Sequence, residues 1–148
     1  MNFMPMGDMD LVYVGPSLTY IDYGAGGQYF AHMEGTWHSD RLNGQLRLTN
    51  FAPKRPDDVN LPTLRGVLET DDGVTIFVEM NGIALPREGG RLFVTSLTLR
   101  TGSPEYEWVN TLFAVVEGFL HGEPRPHEFR ADCQVYVCEP TIAPKAKG

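Results

Sequence analysis

Glu117 interrupts an otherwise apolar run, TLFAVVEGFL, at residues 111–120. On a strand it shares a face with Phe113, Val115 and Phe119. A carboxylate among such neighbours is either paired, with an arginine such as Arg65 or Arg100, or functional. Glu79 is a second candidate. It follows Asp72-Gly73, which reads as a two-residue hairpin turn, so Glu79 is expected opposite Gly66, on one face with Leu68 and Phe77. Arg65 then falls opposite Met80, on the other face. An aromatic-lined carboxyl is pushed to higher pKa and serves as a general acid or base. Otherwise that face is solvent and Glu79 is charged surface.

Three further groups have chemistry to offer. His32, Glu34, Thr36 and His38 share parity on QYFAHMEGTWH. Two imidazoles and a carboxylate are of the type that binds metals, but no fourth ligand backs them, and Gly35 is a natural place for a bulge. No metal is expected. Tyr106, Trp108 and Asn110 alternate after a Gly-Ser-Pro break. They form either a ligand rim at a barrel mouth or a loop plugged into the barrel end. Asp71 and Asp72 are explained by turn chemistry, since Asp tolerates left-handed backbone and bonds its own chain. Gly24-Ala25-Gly26-Gly27 lacks the helix that a phosphate loop needs, and no Ser or Cys sits in a nucleophile motif.

These residues need strands to position them. Alternating runs at 11–23, 28–38, 43–51, 63–71, 73–82, 91–100, 111–120 and 129–138 are separated by Gly- and Pro-rich turns. The stretch APKRPDDVNLP, 52–62, is a connection and not a central strand. Many short strands at regular spacing, without an amphipathic helix, mean a sandwich or a barrel. The chain lacks the Cys–Trp–Cys frame of an immunoglobulin sandwich. With 148 residues it is one domain that needs no staples. Residues 1–9 and 140–148 are expected to be loose ends around a domain spanning 10–139.

The net charge of −7 argues against nucleic acid and anionic membranes as partners. Cys133 and Cys138 are an odd number of residues apart on one strand, so their side chains diverge and stay free. Free thiols and an N-terminus without a basic, apolar leader give an expected cytoplasmic location. No apolar run approaches the ~20 residues of a membrane span.

RGVLETDDG at 65–73, with Phe77, Val78 and Gly82, resembles the hairpin of domain-of-unknown-function family 3237, found in bacteria and fungi. Thr101-Gly102-Ser103-Pro104, Tyr106, Trp108 and Asn110 are similar to that family's Thr-Gly-x-Pro-x-Tyr-x-Trp-x-Asn loop. Gly35-Thr36-Trp37, Arg41-Leu42-Asn43-Gly44, Gly118 and Val135-Tyr136 extend the likeness over most of residues 10–139. The chain departs from the family at 50–55, where a Pro-Gly-Gly-x-Asp-Trp loop is usual and no Trp occurs, and at Thr63, where an acid is usual. The resemblance implies a small antiparallel barrel, lipocalin-like or allene-oxide-cyclase-like in outline, and brings no agreed reaction.

The expectation is therefore an all-β chain with one antiparallel barrel of about eight to ten strands. A barrel of ~8 strands fills its interior or holds one small ligand. The leading function is a cofactor-free acid–base enzyme, an isomerase, cyclase or hydratase/lyase acting on an apolar, carbonyl-bearing metabolite. Glu117, Glu79 and His38 are the catalytic candidates. Trp37, Arg65, Phe77, Tyr106, Trp108 and Asn110 are the candidate ligand contacts. The alternatives are a non-catalytic barrel that binds or carries a lipophilic small molecule, and an oligomerising structural module. Homo-oligomer formation is left open.

Overall fold

Period-two alternation of apolar and polar side chains governs most of the chain, and it folds accordingly. A computed structural model describes residues 1–15, 18–122 and 129–144. Ten strands follow in order: β1 (Asn2–Tyr13), β2 (Thr19–Asp22), β3 (Gly27–His38), β4 (Gly44–Asn50), β5 (Pro53–Lys54), β6 (Thr63–Thr70), β7 (Thr75–Arg87), β8 (Gly90–Arg100), β9 (Ala114–His121) and β10 (Arg130–Glu139). A 3-10 helix, Pro104–Thr111, separates β8 from β9. Neighbours run β1-β10-β9-β8-β7-β6-β4-β3, and β3 pairs back onto β1. The result is a closed antiparallel barrel of eight strands, with β2 and β5 lying against the early part of β3.

Inward positions carry the core. Met9 and Leu11, Met33 and Trp37, Leu46 and Leu48, Leu64 and Leu68, Ile76, Val78 and Met80, Leu97 and Leu99 all point inside. Fully burying each such side chain contributes about 1.5–3 kcal/mol. Charged residues alternate to the outer face, as in Arg47–Glu69 across β4 and β6.

Two expectations are corrected. Residues 1–9 are not loose: β1 starts at Asn2 and pairs with β10 from Asn2↔Glu139 onward. Pro5 and Gly7 look like strand breakers, but the pairing shifts between them. A bulge is where a sheet tolerates a residue without an amide proton. At the other end, residues 140–144 are irregular, and 145–148 lie outside the described residues. The second correction concerns the hairpin. Thr70 N–H donates to Val74 O at 2.8 Å and Gly73 N–H to Thr70 O at 2.9 Å. The loop therefore has three residues, Asp71-Asp72-Gly73, with Gly73 at φ 90°. A left-handed glycine in third place is the other common hairpin solution. The register moves by one, and Arg65 faces Glu79 directly.

Cys133 is buried and Cys138 half-buried on β10, both free. Burial pushes the Cys133 thiol up to about 12, with Asp132 and Asp10 adding to the effect. Thiolate is the reactive form. Native protein treated with iodoacetamide at neutral pH should label Cys138 first, with Cys133 reacting only after denaturation. Equal rates in the native state would contradict the inward placement of Cys133.

Candidate functional site

The two ends of the barrel are built differently. At one end the 3-10 helix lies across the opening, with Val109 fully buried and Tyr106 and Trp108 packed on the core. Asn110 fastens it: its Nδ2 donates to Thr101 O at 2.9 Å and its Oδ1 accepts from Thr101 N–H at 2.8 Å. Tyr106 donates its hydroxyl proton to Asp72 Oδ1 at 2.8 Å. The Arg41 guanidinium stacks 3.9 Å from the Trp108 ring. Tyr106, Trp108 and Asn110 thus form a plug held to the turn between β6 and β7, the second of the two readings open for them in the sequence, and no cavity opens beside them among those described.

At the opposite end, where β8 begins, the barrel holds a cavity of about 110 Å³. Its apolar walls include Met33, Leu64, Met80 and Phe93. Its polar lining includes Tyr13, Asn50, Asn60 and Arg91. Asn50 Nδ2 donates to the Tyr13 oxygen at 3.3 Å, and Asn50 Oδ1 accepts from Thr63 N–H at 3.2 Å. This bridge fixes the phenol. Burial pushes the Tyr13 phenol above the usual tyrosine range, while the Asn50 hydrogen bond pulls it back in part. Tyr13 therefore stays a proton donor at neutral pH. The Phe129 ring stands edge-on to Tyr13 at 5.8 Å. Asn60 is set in place by backbone bonds to Ala84, 3.0 and 2.9 Å, yet its side-chain Oδ1 is buried with no hydrogen-bond partner among the described residues. Arg91 is held to Asp58, which it meets through both the carbonyl and the carboxylate.

None of the nine expected site residues lines this cavity. Glu117 is on the outer face, where it accepts the Tyr136 hydroxyl at 3.2 Å. The parity shared with Val115 and Phe119 was read correctly, but that face looks outward. Its partner is a tyrosine and not Arg65 or Arg100. Glu79 also lies outside, 2.7 Å from Arg100 and 3.8 Å from Arg65. Arg100 covers the Phe77 ring there at 4.9 Å. Arg65 additionally donates to Asn81 Oδ1 and to the Leu64 carbonyl. Arg65, Phe77 and Glu79 thus make one outer-face network. Trp37 is fully buried in the core, and its Nε1 has no partner among the described residues. His38 ends β3 on the exposed side, opposite Asp8. His32 contacts Thr49 on the same outer face, roughly 20 Å away at ~3.3 Å per residue. Among the described residues no three His, Cys, Asp or Glu side chains gather as a metal ion requires.

The lining residues left a faint trace in sequence. Tyr13 continues the parity of Met9 and Leu11, Asn50 that of Leu46 and Leu48, and Arg91 that of Phe93, Leu97 and Leu99. A polar residue closing an inward-facing run is the mark of a barrel mouth.

The fold has solved counterparts. A conserved protein of unknown function from Rhodopseudomonas palustris superposes with TM-score 0.77 at 19% identity, over 92% of this chain and 96% of that one. A beta-barrel like protein from Acinetobacter baumannii gives 0.76 at 19% identity, covering 92% and 94%. An enzyme from Penicillium herquei gives 0.56 at 17% identity, covering 91% and 98%. At such identities the likeness is one of fold. No family model and no curated protein matches the sequence.

Two substitutions separate the plug from the outer face. Thr70 and then Tyr106, by hydrogen bonds, hold the Asp72 carboxyl below its usual range. A carboxyl lowered by folding stabilises the protein above its unfolded pKa of about 4, and that contribution is lost as pH falls through the lower folded value. Tyr106→Phe should lower the melting temperature at pH 7 and flatten the decline below about pH 4. Glu117→Gln should move stability by no more than ~0.5 kcal/mol. A large loss in the second variant would show that Glu117 holds more than Tyr136.

Proposed function

We propose that the barrel takes a small, largely apolar, carbonyl-bearing molecule into its open end. It acts there without a cofactor, by acid–base chemistry of the isomerisation, cyclisation or water addition–elimination type. The observation that carries this is Tyr13: a neutral phenol on an apolar wall, its oxygen already accepting from Asn50, its proton left for a ligand acceptor. Donation to a carbonyl oxygen stabilises the enolate or oxyanion that forms there, an effect worth roughly 10²–10³ in rate per donor. Arg91 adds positive charge on the same wall. Among the described residues the lining includes no carboxylate, so the base in this proposal is water, buffer or the substrate itself. Residence in the cytoplasm and membership of family 3237 belong to the same proposal and rest on the sequence motifs.

A second reading, a barrel that carries its ligand unchanged, is favoured by that same lack of a carboxylate. Acetophenone separates the two. Its binding is read by NMR shifts at Tyr13 and Phe93, and its enolisation by loss of the methyl protons in deuterated water. The wild type should bind it and accelerate exchange over buffer. Tyr13→Phe should still bind but lose the acceleration by roughly a hundredfold. Binding without acceleration would leave the carrier; no binding at the cavity would sink both readings.

A further inference from the structure

Among the described residues the ion pairs at the cavity mouth do not balance. Arg91 enters from the inner face of β8, with its side chain only 17% exposed. Its Nη1 donates to the Asp58 carbonyl at 2.7 Å and its Nη2 to Asp58 Oδ1 at 2.9 Å. Lys54 Nζ lies 3.1 Å from that same Oδ1 and is itself 28% exposed. Two cations thus share one carboxylate. The nearby Asp57 carboxylate is taken by Arg55 and supplies no compensation. One positive charge is left over beside an apolar chamber. There it is screened far less than it would be in water. Arg91 has five N–H donors and spends two on Asp58. A guanidinium edge is the side chain best matched to a carboxylate.

The second observation is independent. Asn60 lines the same cavity, and its Oδ1 is buried with no hydrogen-bond partner among the described residues. A buried acceptor without a donor is costly, so it favours a ligand that brings one. The chamber volume of about 110 Å³ is of the order that encloses one ring.

We propose that the ligand is a ring-sized hydroxy-carboxylic acid, with its carboxylate on the free edge of Arg91 and its hydroxyl proton given to Asn60 Oδ1. Its ring packs between Met33, Leu64, Met80 and Phe93. This rests on the cavity being the binding site proposed above, and it adds a charged handle to the carbonyl that Tyr13 meets.

The test uses benzoate, 3- and 4-hydroxybenzoate, and the neutral isostere benzamide, titrated by calorimetry at low salt. Benzoate should bind at least tenfold tighter than benzamide, and at least one hydroxybenzoate tighter again. Arg91→Met should bring the benzoate-to-benzamide ratio to near one. Asn60→Leu should remove the gain from the hydroxyl alone. Asp58→Asn frees both cations, and should tighten benzoate without changing benzamide; it keeps the test decisive if Arg91→Met fails to fold. Equal affinity for benzoate and benzamide, or a preference that survives Arg91→Met, would overturn the proposal. If benzamide and acetophenone bind and benzoate gains nothing, only this inference falls. If none of the four probes nor acetophenone binds, the proposed function falls with it.

Discussion

Strand β1 is hydrogen-bonded along both edges, to β10 over residues 2–12 and to β3 over residues 8–13. That double pairing turns an open sheet into a closed wall, and the interior exists only because of it. The wall tolerates no bulk where its strands cross most closely, at the seam and away from it. A Cβ on Gly35 would sit 1.7 Å from the Asp10 carbonyl oxygen, and one on Gly66 would sit 2.0 Å from that of Arg47. The absence of a side chain at these points lets adjacent strands cross at the tight angle that a small barrel needs. Asp10 then reinforces the seam by accepting from both the backbone N–H and the hydroxyl of Thr36.

Closure sorts the charges. Carboxylates such as Glu69, Glu79 and Glu117 are carried outward, where arginines, tyrosine and water meet them. Among the described residues the interior near the mouth keeps two phenols, two amides and one guanidinium. Desolvation treats these groups differently. A carboxylate facing apolar walls would shift its pKa to escape its charge, whereas a guanidinium keeps its proton and needs only a partner, which Asp58 supplies. The chemistry open to the chamber is therefore that of donors rather than of bases.

The barrel itself was legible in the sequence because alternation is a local property. Runs such as RLFVTSLTLR announce a strand without reference to anything distant. Which side of a strand faces in is not local. Val115 and Phe119, which flank Glu117 on its face, are as apolar as Ala114 and Val116 on the other, so parity is legible in the sequence and the inward face is not. The hairpin register is ambiguous for a smaller reason: Asp-Gly fits both a two-residue and a three-residue loop, and one residue of register puts Arg65 opposite Glu79 instead of Met80. The polar groups Tyr13, Asn50, Arg91 and Asn60 come from β1, β4, β8 and the 55–62 connection. Only closure of the ring brings Tyr13 beside Asn50, 37 positions away.

The plug of Pro104–Thr111 has a kinetic corollary. It stops one end of the barrel, so the chamber is a blind alley with its floor at the core and its doorway beside Arg91. Whatever goes in must back out along the same path. An occupant and its successor cannot pass each other, so departure of the first gates arrival of the second. Under the proposed function, product and substrate share that one path and compete for the same empty chamber.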